Sequence, residues 1–386
     1  MASYSLRVLF LALLCGAAVV FLCLMLQSNI AYNHLRHLGT GPRMRGEKVL
    51  SPQKPLPGAA STTVHVQSPG VVVELDRRNG SKPKHFTGRD KTTLFSNSSK
   101  SSFVSDPSKP VICHTFSPGR LGNHLFEYAS ILGLAHKLNK TFFFENDEDI
   151  QKVLKYPPVQ NDRTELKARC HKAKRLEERY LCRYDGNLLT QDLAGDYSIG
   201  TYLQSWVYFD EIRQEMKKAV TFADGIVQNA TKVIDGLRKK YPNTIFVGVH
   251  NRRGDMTNKG FASQGYVTAT PDFFKRALTY FRSIFSRVKF IVLGDDEQWN
   301  KDNLHPVNDD VIVLKPSSSS AVDIQILSLT DHMIRTVGTF GWWAAFKIPG
   351  TPTVVYLKDF VRKKSSLSKW YSENAEDYML PGWIGL

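Results

Sequence analysis

The sequence has no zinc-finger spacing, no basic zipper and no aromatic RNA-binding signature, so its formal charge of +15 has no nucleic-acid motif to serve. The placement of that charge argues the same way. Between Gln27 and Lys109 there are 13 Lys and Arg against 5 Asp and Glu, so 8 of the 15 excess charges lie in a segment with little sign of folding. No internal repeat is present, which excludes solenoid and propeller arrays. Apolar residues are scarce from Gln27 to about Ser108, where Ser, Thr, Pro, Gly and Lys dominate, Pro52, Pro55 and Pro57 cluster, and Val71-Val72-Val73 is the one apolar knot. Such a composition cannot bury enough surface to offset the entropy of ordering, and it reads as a flexible stem.

Cysteine is scarce too, at five in 386 residues. Cys15 and Cys23 fall inside an apolar run, leaving Cys113, Cys170 and Cys182 for a compartment where disulfides form. Cys170 and Cys182 are close in sequence and flank a basic helical stretch, so a bridge between them is favoured, with Cys113 a buried strand thiol. An odd count permits other pairings.

The apolar run, Val8–Leu26, nearly matches a bilayer core. It ends Cys23-Leu24-Met25-Leu26, a poor cleavage context, so a signal anchor is preferred to a cleavable signal peptide. Arg36, Arg43, Arg45 and Lys48 follow the span, and this count does not favour a cytoplasmic N-terminus. The sequons at Asn79, Asn97, Asn139 and Asn229 do favour one, since all lie beyond the span and are glycosylated only in the secretory lumen. The expected organisation is a tail over 1–7, an anchor over 8–26, a stem over 27–108, and folded α/β domains over 109–220 and 221–386.

Folded structure is expected from the strand Val111–Thr115, followed by a turn with Pro118 and Gly119 and then Leu125, Phe126, Ala129, Leu132, Ala135 and Leu138 at helical spacing. Thr141–Phe144 is the next strand, and the stretch from Glu145 to Tyr197 reads as irregular and charged. The second half alternates plainly. Strands are expected at Ile245–His250, Lys289–Leu293, Val311–Leu314, Met333–Val337 and Thr353–Leu357. Helices are expected from Thr270-Pro271 to about Ser286, over Ala321–Leu329 and over Gly341–Lys347. Strict alternation implies parallel, doubly wound sheets.

The sharpest feature is Val249-His250-Asn251-Arg252-Arg253-Gly254-Asp255, which directly follows a β-branched strand. That placement delivers two guanidinium groups to the C-terminal edge of a parallel sheet, where open α/β sheets bind ligands. Arginine's fixed fork of donors matches phosphate oxygens two at a time. A surface ion-pair cluster, or an exposed Arg253-Gly254-Asp255 adhesion tripeptide, is the plainer alternative, but the end of a buried strand suits neither. Asp147-Glu148-Asp149 has Asp-x-Asp metal-site spacing yet lies in a charged run, so a solvated acidic patch is expected. Asp295-Asp296 suits a helix entry or a site wall. No Asp or Glu occurs between Asp255 and Asp272, so a general base is hard to place.

The turn resembles the His-Val-Arg-Arg-Gly-Asp motif of metal-independent fucosyltransferases that use GDP-fucose. Gly119-Arg120-Leu121-Gly122-Asn123 with Glu127-Tyr128-Ala129, and Thr336-Val337-Gly338-Thr339-Phe340-Gly341-Trp342-Trp343-Ala344-Ala345, resemble the N- and C-terminal motifs of the galactoside alpha-1,2-fucosyltransferases. The resemblance covers about Val111 to the C-terminus and departs at Asn251, where the family has an apolar residue. It implies a GT-B-like pair of Rossmann-type domains facing a cleft. It further implies a type II Golgi membrane protein that moves fucose from GDP-fucose to the 2-hydroxyl of a β-galactoside-terminated glycan, with inversion and without a metal cofactor.

Under the resemblance Arg252 grips the β-phosphate in place of a divalent cation, and His250 and Asp323 contact the nucleoside. The amides of Thr339, Phe340 and Gly341 bind the pyrophosphate at a helix start. Arg253 contacts the donor or only positions the loop, and Asp255 is the base or only the arginines' partner. Asp323 is alternatively a first-turn acid. Gly122 and Asn123 reach the cleft, or Asn123 caps a helix. Trp342 and Trp343 pack, and Asn251, pointing away from His250, alters packing. An alpha-1,6- or protein O-fucosyltransferase, or a non-catalytic glycan-binding protein on the same fold, is the alternative.

Overall fold

The computed structural model describes residues 102–386 apart from 191–193, 305 and 308, and these belong to one compact unit. The apolar run Val8–Leu26, Cys15 and Cys23, almost all of the stem, and the sequons at Asn79 and Asn97 lie outside the described residues. No helix among the described residues is long and apolar enough to cross a membrane.

Two all-parallel sheets form the unit. The smaller takes β1 (Val111–Thr115), β2 (Thr141–Glu145), β3 (Lys174–Glu177) and β4 (Tyr197–Gly200) in the order β2-β1-β4-β3. The larger takes β5 (Ile245–Asn251), β6 (Val288–Gly294), β7 (Val311–Val313), β8 (His332–Arg335), β9 (Val354–Tyr356) and β10 (Ile384–Gly385) in the order β10-β9-β8-β5-β6-β7. The chain runs outward from β5 through β6 to β7, then returns to β8 on the other side of β5. The carboxyl ends of β5 and β8 are therefore a topological switch point, the place where open parallel sheets take ligands.

Local sequence accounts for the central elements. β5 is buried along nearly its whole length, as suits a strand with neighbours on both sides. The helix Pro271–Ile284 starts on Thr270, whose hydroxyl accepts the Phe273 amide, with Pro271 at the first helical position. It buries Phe273, Phe274, Ala277, Leu278 and Phe281 against β6, each phenylalanine contributing roughly 1.5–3 kcal/mol.

Helix α1 (Leu121–Lys137) is buried from Gly122 to Ala135, apart from Asn123, because it packs on the small sheet and on the second sheet's helix α11 (Thr339–Lys347) together. Phe126 lies 4.5 Å from Trp342 and 5.2 Å from Trp343, ring to ring, and both tryptophans are fully buried. They pack, as expected.

Four expectations are corrected. The stretch after Glu145 is not irregular: it holds α2 (Glu148–Val153), α3 (Arg163–Cys170), β3, α4 (Asn187–Thr190) and β4. β3 escapes sequence patterning because it is a charged edge strand with only Leu176 buried. The disulfide joins Cys113 to Cys170, not Cys170 to Cys182. Segment 171–181 is not a helix bringing the latter two together; β3 extends between them, while α3 returns Cys170 over Cys113 on β1. Cys182 is a buried free thiol, and burial pushes it up to about 12.

The acidic triplet is only partly solvated. Asp147 is buried and accepts from Gln151, Gln160 and Arg163, donors that a carboxylate removed from water requires. Finally, β8 stops at Arg335 and α11 starts at Thr339, so Thr336 and Val337 lie outside the strand expected over Met333–Val337. Past α5 (Arg213–Ala219), the helix α6 (Asp224–Lys240) carries the sequon Asn229 on an exposed position, and Asn139 is exposed too.

Candidate active site

At the end of β5, His250 is buried and its ring stacks on Phe340 at 4.9 Å and 22°. Burial, reinforced by the charges of Arg335 and Arg252, lowers its pKa to about 3, so it is a neutral imidazole. Its Nδ1 has no hydrogen-bond partner. A Cβ at Gly341 would lie 2.4 Å from that Nδ1 and 2.9 Å from Cγ, so only glycine lets α11 approach β5 this closely. We expect Gly341→Ala to displace the His250 ring and to lower stability by about 1–3 kcal/mol, the usual range for overpacking. Urea unfolding checks it, and an unchanged midpoint would refute the contact.

Arg252 follows. Its amide donates to the Thr336 hydroxyl at 2.9 Å, tying the end of β5 to the turn after β8. Its guanidinium holds Asp255 through Nε (3.2 Å) and Nη2 (2.9 Å). Gly338 lies against the same guanidinium: a Cβ there would be 3.0 Å from Nη1, and its φ of +101° is a region that suits glycine. Asp255 also accepts from Arg120 Nη2 at 2.9 Å. Hydrogen bonding to Arg252, with the charges of Arg252 and Arg120, holds the Asp255 carboxyl below the usual range. So held, it is the arginines' partner and a weak proton acceptor.

Arg253 points elsewhere. It lies over the Trp299 ring at 4.3 Å, with Asp296 at 3.8 Å. The amides of Arg253 and Gly254 both donate to Asp295, at 2.6 and 3.0 Å. Of the two acids after β6, Asp295 thus braces the β5 turn, while Asp296 caps the helix α9 (Glu297–Asn303) through the Trp299 amide. Asn251, pointing away from His250, donates to Asn300 at 2.7 Å in the core, which is the altered packing its sequence position implies.

The other site candidates divide. Asp323 is buried near the start of the helix α10 (Ser320–Ser328) and accepts the Ser317 amide at 3.0 and 3.2 Å. A cavity of about 420 Å³ nearby is lined by Ser317, Ser319 and Val322 together with Asn229 and Val233 of α6, and Asp323 is not among its lining residues. Gly122 and Asn123 are drawn to α11. Thr339 Oγ1 donates to Asn123 Oδ1 at 2.8 Å, Gln204 reaches the same oxygen at 3.3 Å, and Trp343 Nε1 donates to the Gly122 carbonyl at 3.0 Å. Asn123 therefore links two helices and is not a cap; Arg120 holds the cap position. A Cβ on Gly122 would fall 2.6 Å from Thr339 Oγ1 and 2.9 Å from the Phe340 amide nitrogen. No group of three or more metal-ligating side chains is placed to hold an ion among the described residues.

Sequence reasoning gave no role to Arg120, Gln204, Arg335 or Glu178. Arg120 sits inside a quoted motif, but its partner Asp255 is 135 residues away. Glu178 follows the overlooked β3. Buried, it accepts from Thr201 Oγ1 (2.7 Å), the Leu203 amide (3.1 Å) and Tyr208 (3.0 Å), and it braces Thr201 and Leu203 at φ +94° and +47°. That segment leads into Gln204 and so to Asn123. Burial pushes Glu178 up to about 8. Because the folded pKa is raised, its neutral form stabilises the fold fully below the unfolded value of about 4.5, and that contribution is lost as pH rises through 8. We expect melting temperature to fall over that window and Glu178→Gln to flatten the profile. A variant with the wild-type profile would refute the assignment.

An all-parallel sheet whose switch point gathers an arginine fork held on a carboxylate, a neutral histidine and a helix N-terminus has the build of the α/β class that includes nucleotide-dependent transferases. The family model described as glycosyl transferase family 11 matches residues 86–386, and the chain belongs to that family. It is 30% identical over 281 residues to galactoside alpha-(1,2)-fucosyltransferase 2 of Rattus norvegicus, covering 70% of this chain and 75% of that one. It is 30% identical over 279 residues to galactoside 2-alpha-L-fucosyltransferase Sec1 of Mus musculus, covering 69% and 72%. Among solved structures, POFUT1 in complex with GDP-fucose is similar at a TM-score of 0.42 and 11% identity, covering 65% of this chain and 99% of that one. A point mutant of Arabidopsis thaliana FUT1 in complex with GDP is similar at 0.42 and 13%, covering 64% and 70%. The resemblance drawn from the three motifs is upheld.

Proposed function

We propose that this chain transfers L-fucose from GDP-fucose to the 2-hydroxyl of a terminal β-galactoside on glycoprotein or glycolipid glycans, inverting the anomeric centre without a metal. The observation that carries the reading is the meeting of Arg252 with the Gly338–Gly341 turn at the switch point of the larger sheet, in a chain of this family.

In this reading Arg252 binds the β-phosphate and takes up charge on departing GDP. The amides of Thr339, Phe340 and Gly341 hold the pyrophosphate at the α11 N-terminus. His250, neutral and with an unpartnered Nδ1, and Asp323, buried near the start of α10, contact the nucleoside. Asp255 holds Arg252 and Arg120 rather than taking the acceptor's proton, and Arg253 fixes the loop. The arrangement is GT-B-like, with residues 109–220 forming the acceptor wall and 221–386 the donor side.

Residues 8–26 anchor the chain in the Golgi membrane as a type II protein, 27–108 are its stem, and Asn79, Asn97, Asn139 and Asn229 are glycosylated in the lumen. The apolar run Val8–Leu26 and the exposure of Asn139 and Asn229 support this. The test is fucose transfer by the lumenal residues, with GDP-fucose, to a panel of β-galactosides, N-acetylglucosamine oligomers and folded protein domains. The expected product is a 2-linked galactoside formed equally well in EDTA. Transfer to another acceptor would overturn the galactoside assignment, and a metal requirement would overturn the role given to Arg252.

A further inference from the structure

The last residue of β8 is an arginine, Arg335. Arg335 is wholly buried, and the groups that chiefly favour its charge are the phenols of Tyr378, Tyr371 and Tyr356 rather than a carboxylate. Nη2 donates to the Gly338 carbonyl at 2.9 Å, Nη1 meets the Met379 sulfur at 3.0 Å, and Nε has no partner. The rings of Tyr378 and Trp383 flank it, each at 5.6 Å. A carbonyl, a thioether and the Tyr378 side chain that hydrogen-bonds it are neutral partners and do not neutralise a cation. An unpaired charge in a protein interior is a net loss, and a well-packed apolar side chain of similar volume usually leaves the fold as stable or more so.

The position suggests what the charge serves. Arg335 directly precedes Thr336, whose hydroxyl holds the Arg252 amide. Its one carbonyl partner is Gly338, the residue whose left-handed φ lays the turn against the Arg252 guanidinium. The charge of Arg335 also reaches His250, which it helps keep neutral. One buried cation thus bears on three groups of the same small site.

We propose that Arg335 is a positioning residue and a buried counter-charge for the diphosphate of the donor, an inference that rests on the nucleotide reading above. It holds the Gly338 carbonyl so that the turn closes on Arg252 and the first amides of α11 stay open to the ligand. Its uncompensated charge, shielded from solvent, adds to the field that Arg252 presents. The effect therefore scales with the charge of the ligand and vanishes for an uncharged nucleoside. Each added unit of negative charge on the ligand interacts with the same buried cation, so the contribution grows with ligand charge.

The experiment titrates GDP, GMP and guanosine into the full-length chain in detergent, as wild type, Arg335→Met and Arg335→Lys, with the melting temperature of each. Arg335→Met is expected to weaken GDP by about tenfold or more, GMP less and guanosine by under about twofold. Its melting temperature should be unchanged or higher, and Arg335→Lys should recover part of the GDP affinity. Equal weakening of all three ligands with a lower melting temperature would show a merely structural arginine and overturn the proposal. So would unchanged GDP affinity in Arg335→Met. Wild type that binds no GDP overturns the nucleotide reading together with this inference; wild type that binds it, without the charge-graded loss, overturns this inference alone.

Discussion

Arg252→Ala is expected to abolish measurable GDP binding and to lower fucose transfer by about two to three orders of magnitude, the range found when a preorganised donor to developing charge is removed. Two physical effects combine. The fork that would meet the phosphate is gone, and Asp255, now held only by the exposed Arg120, is left as a carboxylate facing an anion. Arg252→Lys should rescue little. A lysine ammonium is a point charge and cannot span both Asp255 oxygens while facing a phosphate. Calorimetric titration of GDP and initial rates of transfer measure the two effects separately. GDP affinity equal to wild type in Arg252→Ala would remove Arg252 from the donor site.

Glu127→Ala should produce the largest loss of stability, about 3–5 kcal/mol, because it removes the carboxylate at the centre of a buried hydrogen-bond network. Glu127 and His114 are both shielded from solvent. The imidazole meets the Ile199 carbonyl through Nδ1 at 2.8 Å and Glu127 Oε2 through Nε2 at 2.8 Å. The same carboxylate accepts the Ser117 amide at 2.8 Å, and the Ser117 hydroxyl donates to its other oxygen. One acid on α1 therefore joins β1, β4 and the turn that leads to Arg120. Without it, the imidazole is stranded in the core and the half-buried Ser117 donors lose their acceptor. Urea denaturation of Glu127→Ala and Glu127→Gln tests this, with the glutamine variant expected to lose less because it keeps the volume and an acceptor oxygen. A loss below about 1 kcal/mol in the alanine variant would mean that the network is not holding these elements together.

The donor half was the more legible in the sequence, and the reason is physical. β5, β6 and the helix starting at Thr270 are long, and their patterns are set by burial on two faces or one, with capping chemistry at fixed offsets. β3 and β4 span four residues each and carry little pattern. The disulfide was illegible because the approach of Cys113 to Cys170 depends on α3 folding back over β1, a tertiary fact that spacing along the chain does not encode.

At the site, motif residues such as His250, Arg252 and Gly341 could be named from sequence, but their partners could not. Arg120, Gln204 and Asp295 meet their contacts 135, 81 and 42 residues away. Arg335 was hidden by its context: an arginine within an otherwise apolar β-branched run reads as part of the strand, and only its burial shows the anomaly.

The Asp255 carboxylate, shared between Arg120 and Arg252, makes donor capture a replacement reaction. Before any nucleotide arrives, the guanidinium fork already has an anion on it. Phosphate oxygens must compete with that resident carboxylate, so the measured affinity reports the difference between two anions at one cation. Weakening the resident by Asp255→Asn would therefore have two opposed effects, freeing the fork while loosening the arginine that carries it.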